Sequence, residues 1–361
     1  MPIPPQEIST DYLIVGQGVA GTTVGYNLHR IGADFLVASE GFDHSSSYAA
    51  AGIINPVTGR KYTKSWKIDE LLPEAIACYR GLEQLLGIKI LRERPIYRSL
   101  FTIKEENDWS ARLQDHGYLA YIDTAVPSVT SLQNMVRASN AYGPTKGSLQ
   151  IDLPTLLDHF RQWLGHEGRL ITDHLAIQDL DPKALRWGSI RVNKAIIFSE
   201  GYKVLTNPYF NYLPFDPAKG EALIVRINGG FECNLRDQIF ITPIGDDLYW
   251  VGAAYEWDYA DHLPTAKQKD QLTEKLRQIL TVDFEVVGQR AGIRPCVKTR
   301  RPILGRHPVF DRLVLFNGLG TKGTSLAPYF AKELMQHLID GGPLHPEVDI
   351  NRYPFPTKDE K

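Results

Sequence analysis

A chain of 361 residues has room for two domains, or for one large α/β domain carrying an insertion. With 40 basic against 42 acidic side chains its net charge is −2, which excludes a global basic field for nucleic acid or an anionic membrane. At 43% hydrophobic and 23% charged it has the composition of a globular protein with a sizeable core, not of a disordered one. Cys78, Cys233 and Cys296 are scattered and odd in number, so they spell neither a disulfide framework nor zinc-ligand spacing, and no metal is expected. No apolar run approaches the roughly 20 residues that span a bilayer. The opening MPIPPQEIST lacks the charged and apolar regions of a secretory leader, so the expected location is cytoplasmic.

The first predicted elements are a strand (Tyr12–Val15), a glycine turn, a helix (Val19–Ile31) and a second strand (Phe35–Ala38). The turn holds Gly16, Gln17, Gly18 and Gly21. Its first glycine permits the tight turn, its second lets a pyrophosphate approach the backbone, and its third lets helix and strand pack closely. The helix start offers free N–H groups and partial positive charge to phosphate. Glu40 ends the second strand, where a carboxylate takes both ribose hydroxyls and repels a 2′-phosphate. Together these predict a bound adenine dinucleotide; the alternative is an empty αβ turn. Residues 41–56 follow, with hydroxyls at Ser45–Ser47 and the small run Ala49–Gly52 suited to lie against a flat ligand.

The glycine turn, the strand-end Glu and SSxxAAAGxxxP together resemble the D-amino-acid oxidase and glycine oxidase superfamily of FAD enzymes. The resemblance implies an α/β fold in which a Rossmann-like FAD-binding domain (1–75, 146–204 and 286–361) carries an inserted antiparallel-sheet substrate domain (76–145 and 205–285). It also implies that Gly41, Ser46, Ser47, Ala51, Gly52 and Ile53 wrap the pyrophosphate and run under the flavin.

Residues 57–70 carry Arg60, Lys61, Lys64 and Lys67 with Tyr62 and Trp66. Such runs are usually solvated faces, yet this one follows the flavin segment, so one cation could meet an anionic substrate. Leu71–Leu86 has the spacing of an amphipathic helix, Ile96–Phe101 reads as a strand, and the stretch from Leu119 to Val129 as short strands and loops. Asp152 caps a helix that reaches Leu164, with Pro154 in its first turn. Leu170–Leu180 is fit for two strands, and by resemblance Leu175 contacts adenine through its backbone. Ser189–Ser199 reads as a hairpin, after which the family places small residues. Here Ser199-Glu200-Gly201 stands there: Gly201 fits, but a carboxylate beside phosphate is costly unless it points away. Ile239–Pro243 and Leu248–Tyr255 form a predicted hairpin across Gly245-Asp246-Asp247, and Lys267–Leu280 a helix.

The C-terminal third repeats the first motif: a strand (Leu313–Asn317), a glycine turn (Gly318, Gly320, Gly323) and a helix (about Ser325–Ile339). A second helix start facing the flavin would stabilise negative charge on the reduced ring, and Lys322 could add a full charge. GIRPxxxxxxPILG and GLGxxGxxxAP match the superfamily's C-terminal signature. GLGTKGTSLAP is most similar to the oxidase half of the bifunctional enzyme of tRNA 5-methylaminomethyl-2-thiouridine biosynthesis. By resemblance Gly318, Leu319, Gly320, Thr321, Lys322, Gly323 and Thr324 hold FAD, and Arg294 grips the substrate carboxylate through a planar fork.

Two departures stand out. Phe240 occupies the place of a carboxylate-binding Tyr and cannot donate a hydrogen bond, and Thr321 replaces an Arg. Tyr255, Tyr249, Lys298 and Arg300 are the candidate substitutes. Cys296 sits where sarcosine oxidases attach flavin, and is expected to be unmodified. The catalytic candidates are therefore Arg294, Tyr255 and Lys322, in an oxidoreductase passing hydride from a small amine or amino acid to flavin N5. Electrons would go to O2 or another carrier, nucleic acid is not expected as a partner, and a homo-oligomer is possible. The alternatives are a tRNA-modifying oxidase acting on a carboxymethylaminomethyl uridine, which would need a basic face, and a flavin-binding protein without turnover.

Overall fold

The computed structural model describes residues 7–42 and 45–356. Residues 1–6, positions 43 and 44 of the serine-rich segment, and 357–361 lie outside the described residues.

The apolar runs Tyr12–Val15, Phe35–Ala38, Ala195–Phe198 and Leu313–Asn317 form the part of the first sheet that is largely buried on both faces, as a parallel sheet requires. Leu170–Ile171, Phe35–Ala38, Ile8–Val15 and Ile190–Phe198 lie side by side in that order, all parallel. Leu313–Asn317 continues the sheet in parallel beyond Ile190–Phe198, and Ile303–Arg306 closes it antiparallel. One face is covered by the helices Val19–Arg30, Ile68–Leu86, Leu153–His166 and Gly323–Asp340, around a core that includes Ile14, Tyr79, Phe160 and Phe330. Trp187, Phe210 and Leu213 cover the other. Asp152 caps Leu153–His166, its carboxylate accepting from the Thr155 N–H at 3.2 Å.

A second sheet of seven strands is ordered Glu285–Arg294, Ala218–Arg226, Leu248–Glu256, Phe240–Gly245, Asn234–Arg236, Ile96–Leu100 and Ala141–Thr145. Every pairing is antiparallel except that of Asn234–Arg236 with Ile96–Leu100. The Phe240–Gly245 and Leu248–Glu256 hairpin turns through Asp246 and Asp247, both at positive φ (52° and 57°), as a tight hairpin turn demands. One face of this sheet packs Leu223, Leu235, Ile241 and Val251 against Leu272 and Leu276 of the helix Ala266–Ile279.

Several elements differ from the sequence-based expectation, among them Ser189–Ser199, which holds one strand, Ile190–Phe198, with Arg186–Trp187 as its hairpin partner. Glu285–Arg294, assigned largely to the nucleotide-binding unit, is an edge strand of the second sheet, because its partner is Ala218–Arg226. Ile68–Leu86, split between the two units, packs on Gly323–Asp340 through Tyr79 and Leu82, whose side chains belong to the first unit's core. After Leu170–Ile171 the chain makes no second strand before Leu180–Asp181; Ile177–Asp179 is a single 3₁₀ turn.

Candidate active site

Both glycine turns open into one cavity of about 680 Å³ between the two sheets. The first turn contributes Gly16, Gln17 and Gly18, and the last contributes Leu319, Gly320, Thr321, Gly323 and Thr324. Each begins a helix whose cap residue, Gly18 or Lys322, provides no capping side chain, so first-turn N–H groups other than that of Val19, which the Ser47 hydroxyl takes, are open to a ligand. Gly16 is at φ +98°, and a Cβ on it would sit 2.6 Å from the Ser199 carbonyl oxygen. A Cβ on Gly21 would fall 1.9 Å from the Gly16 carbonyl oxygen, so the third glycine serves packing and does not line the cavity.

Ser46 and Ser47 line the cavity beside the first turn. The Ser47 hydroxyl accepts the Val19 N–H at 3.1 Å and so locks the serine segment against the helix start. Gln17 presents only backbone: its buried side chain donates to the Leu157 carbonyl at 2.9 Å. Glu40, Gly41, Leu175 and Gly201 also line the cavity. Glu40 is held below the usual carboxylate range by its hydrogen bond with His174, against the opposing effect of burial and helped by Lys203 3.9 Å away.

Ala51, Gly52, Ile53 and Gly318 stand behind this wall. Gly52 is at φ +69° with a Cβ position 1.8 Å from the Ile151 carbonyl, and Ile53 pairs with Gln150. Ala51 faces a second cavity of about 210 Å³, and Gly318, at φ +79°, packs on Val297. The Lys322 ammonium donates to the Ser65 hydroxyl at 3.2 Å; burial, then Arg301 and Arg300, lower its proton affinity.

Arg294 ends its edge strand inside the main cavity. Its guanidinium fills the space that a side chain on Gly220 would take, and lies 4.3 Å over the Tyr255 ring. Its Nη1 is buried without a hydrogen-bond partner. A buried guanidinium N–H left unmade is costly, and a planar anion is what completes it. Among the other candidates, Tyr249 is excluded. It points to the opposite face of the sheet, where its hydroxyl accepts from the Phe231 N–H at 2.6 Å and donates to the Phe231 carbonyl at 2.9 Å. Lys298 and Arg300 are exposed. Tyr255, itself 49% exposed, is the candidate that meets Arg294.

Sequence reasoning missed Asn317, whose amide donates to the Gly201 carbonyl and accepts from the Gly318 N–H, both at 2.8 Å, tying the last turn to the 3₁₀ segment that follows Ile190–Phe198. Its place at the strand end before a glycine turn was the available signal. In the basic run, Lys64 and Lys67 are paired with Asp69 and Glu70, whereas Arg60 and Lys61 are exposed. Among the described residues no cluster of His, Cys, Asp and Glu could hold a metal, and no helix is long and apolar enough to cross a membrane.

A parallel nucleotide-binding sheet with two glycine-turn helix starts, serine hydroxyls and a strand-end carboxylate converging on one cavity defines a dinucleotide-dependent oxidoreductase, and that donor set fits FAD. Residues 11–337 match the family model described as FAD dependent oxidoreductase (DAO), and the chain belongs to that family. It is 23% identical over 355 residues to a glycine oxidase of Pseudomonas aeruginosa, covering 92% of this chain and 96% of that protein. In structure it resembles glycine oxidase from Geobacillus kaustophilus, with TM-score 0.81, 19% identity, and 96% and 100% of the two chains covered. It also resembles iminodiacetate oxidase from Chelativorans sp. BNC1, with TM-score 0.75, 22% identity and 95% and 98% coverage.

Proposed function

We propose that this chain oxidises the C–N bond of a small amine or amino acid that carries a carboxylate, with Arg294 as the carboxylate anchor. The observation that supports the reading is the buried, unpartnered Arg294 Nη1 in the cavity shared by both glycine turns. FAD, when bound, would supply the two-electron acceptor for the hydride, with O2 or another carrier as the final acceptor. The protein's part is orientation. Arg294 fixes the carboxylate bidentately and Tyr255 braces the guanidinium from one face. The two helix starts would hold the phosphates and favour negative charge on the bound group. The amine must arrive uncharged, and the imine left by loss of hydride and a proton is hydrolysed by water.

Anaerobic mixing of the FAD-loaded protein with glycine, sarcosine, iminodiacetate, proline and both enantiomers of several amino acids tests this. Bleaching of the flavin by carboxylated amines, lost in Arg294→Met with FAD retained, is the expected result. Yellow protein that no amine bleaches would leave a flavin-binding protein without turnover.

A further inference from the structure

We propose that Arg98 and Arg236 form a second anion subsite on the cofactor-facing side of the seven-stranded sheet, so that the amine carries a second acidic group remote from the one at Arg294. This rests on the reading of Arg294 as the first carboxylate anchor.

The placement follows from strand register. Arg98 lies opposite Arg236, Arg236 opposite Phe240, Phe240 opposite Gly252, and Gly252 opposite Ala222. Residues opposite one another on neighbouring strands project from the same face. Trp250, two residues from Gly252, shares that face and donates its indole N–H to the Ala49 carbonyl at 2.9 Å, within the segment that borders the cofactor cavity. The other face is closed by Leu235, Ile241 and Val251 beneath a helix.

Both guanidinium groups are half-buried and lie over aromatic rings, Arg98 at 4.8 Å from Tyr62 and Arg236 at 5.1 Å from Phe240. Like charges directly opposite on paired strands oppose folding unless something intervenes. Among the described residues neither has a carboxylate ion-pair partner, and the Arg98 guanidinium bonds only the Tyr62 hydroxyl. Glu105 near Arg98 and Asp237 near Arg236 act only at longer range, and the Arg236 Nη1 is bonded to the Asp237 backbone carbonyl, not to its carboxylate. Burial lowers the proton affinity of both, and Arg98 adds repulsion at Arg236. An anion bound between them removes both costs.

The pair is linked to the first anchor. Arg236 is close enough to Tyr255 to interact electrostatically with it, and Tyr255 lies under Arg294. The row of Arg236 reaches Arg290 on the edge strand, but the Arg294 guanidinium folds back over Gly220 and Tyr255, so roughly three strand steps, ~14 Å at ~4.8 Å per step, separate it from the strand of Arg236. That span suits an extended amine with acidic groups at both ends. Glycine, with one carboxylate, would leave the pair unused.

The test is a spectral titration of the FAD-loaded protein with acetate, glutarate and adipate, which are not oxidised, followed by anaerobic reduction with glycine, iminodiacetate and glutamate. Dicarboxylates should bind at least about tenfold more tightly than acetate, from one added charge-assisted contact. Arg98→Met and Arg236→Met should each erase that advantage and leave acetate affinity unchanged, while Arg236→Lys retains part of it. Equal affinity for mono- and dicarboxylates in the parent protein, or an advantage that survives in all three variants, overturns the subsite. If acetate does not perturb the flavin, or Arg294→Met does not weaken it, the anchor itself is wrong and the subsite falls with it.

Discussion

Glu200→Gln should stabilise the protein above neutral pH and leave it almost unchanged in mild acid. Glu200 follows the strand Ile190–Phe198 and lies beside the first glycine turn, its Cα 3.0 Å from where a Gly16 Cβ would stand. Burial pushes its carboxyl from the ordinary 4.5 up to about 7, although the Asn207 amide donates to it at 2.7 Å and Lys203 favours the charged form. The folded state therefore binds this proton more tightly than the unfolded chain does. Parent stability falls as pH rises from about 4.5 through about 7 and is flat above that. At 1.36 kcal/mol per unit the full effect is about 3 kcal/mol. Glutamine keeps the oxygen that Asn207 needs and never ionises. Guanidinium denaturation of the FAD-loaded proteins, followed by tryptophan fluorescence, should show the variant more stable by about 2–3 kcal/mol at pH 8.5 and within about 1 kcal/mol of the parent at pH 5. An equal difference at both pH values, or a less stable variant at pH 8.5, would refute the reasoning.

Other substitutions probe the scaffold. Gly21→Ala places a methyl 1.9 Å from the Gly16 carbonyl oxygen, so the turn must open; purified protein should carry less than a tenth of the parent's FAD by absorbance, and full occupancy would count against it. Tyr79→Phe removes the buried hydroxyl that donates to the Thr324 carbonyl at 2.8 Å, which should cost about 1 kcal/mol in denaturant midpoint analysis. Burial pushes the Cys78 thiol up to about 12 and Cys233 up to about 11, so a thiolate-selective reagent at pH 8 should label neither in the native protein and both after unfolding.

The elements legible in the sequence were those whose cause is local. Gly16 and Gly318 take positive φ because a strand must turn sharply into a helix, and hydrophobic runs bounded by such glycines place Phe35–Ala38 and Leu313–Asn317 to the residue. Asp152 announced its helix through its own capping bond. What could not be read depends on partners distant in the chain. Glu285–Arg294 looks like any strand until Ala218–Arg226 pairs with it. Tyr249 and Trp250 are equally plausible wall residues, and only the register of their strand sends one to the core and the other to the Ala49 carbonyl. Arg98 and Arg236 come from separate segments and meet only because those strands are neighbours.

The two helix starts that open into the cavity lie near opposite ends of the chain, around Gly18 and Gly323. During synthesis the early βαβ segment leaves the ribosome with half a binding site, and the other half exists only when nearly all the message has been read. Cofactor capture is thereby a late checkpoint on chain completion: a product truncated before Leu313 should remain colourless however well its first strands assemble.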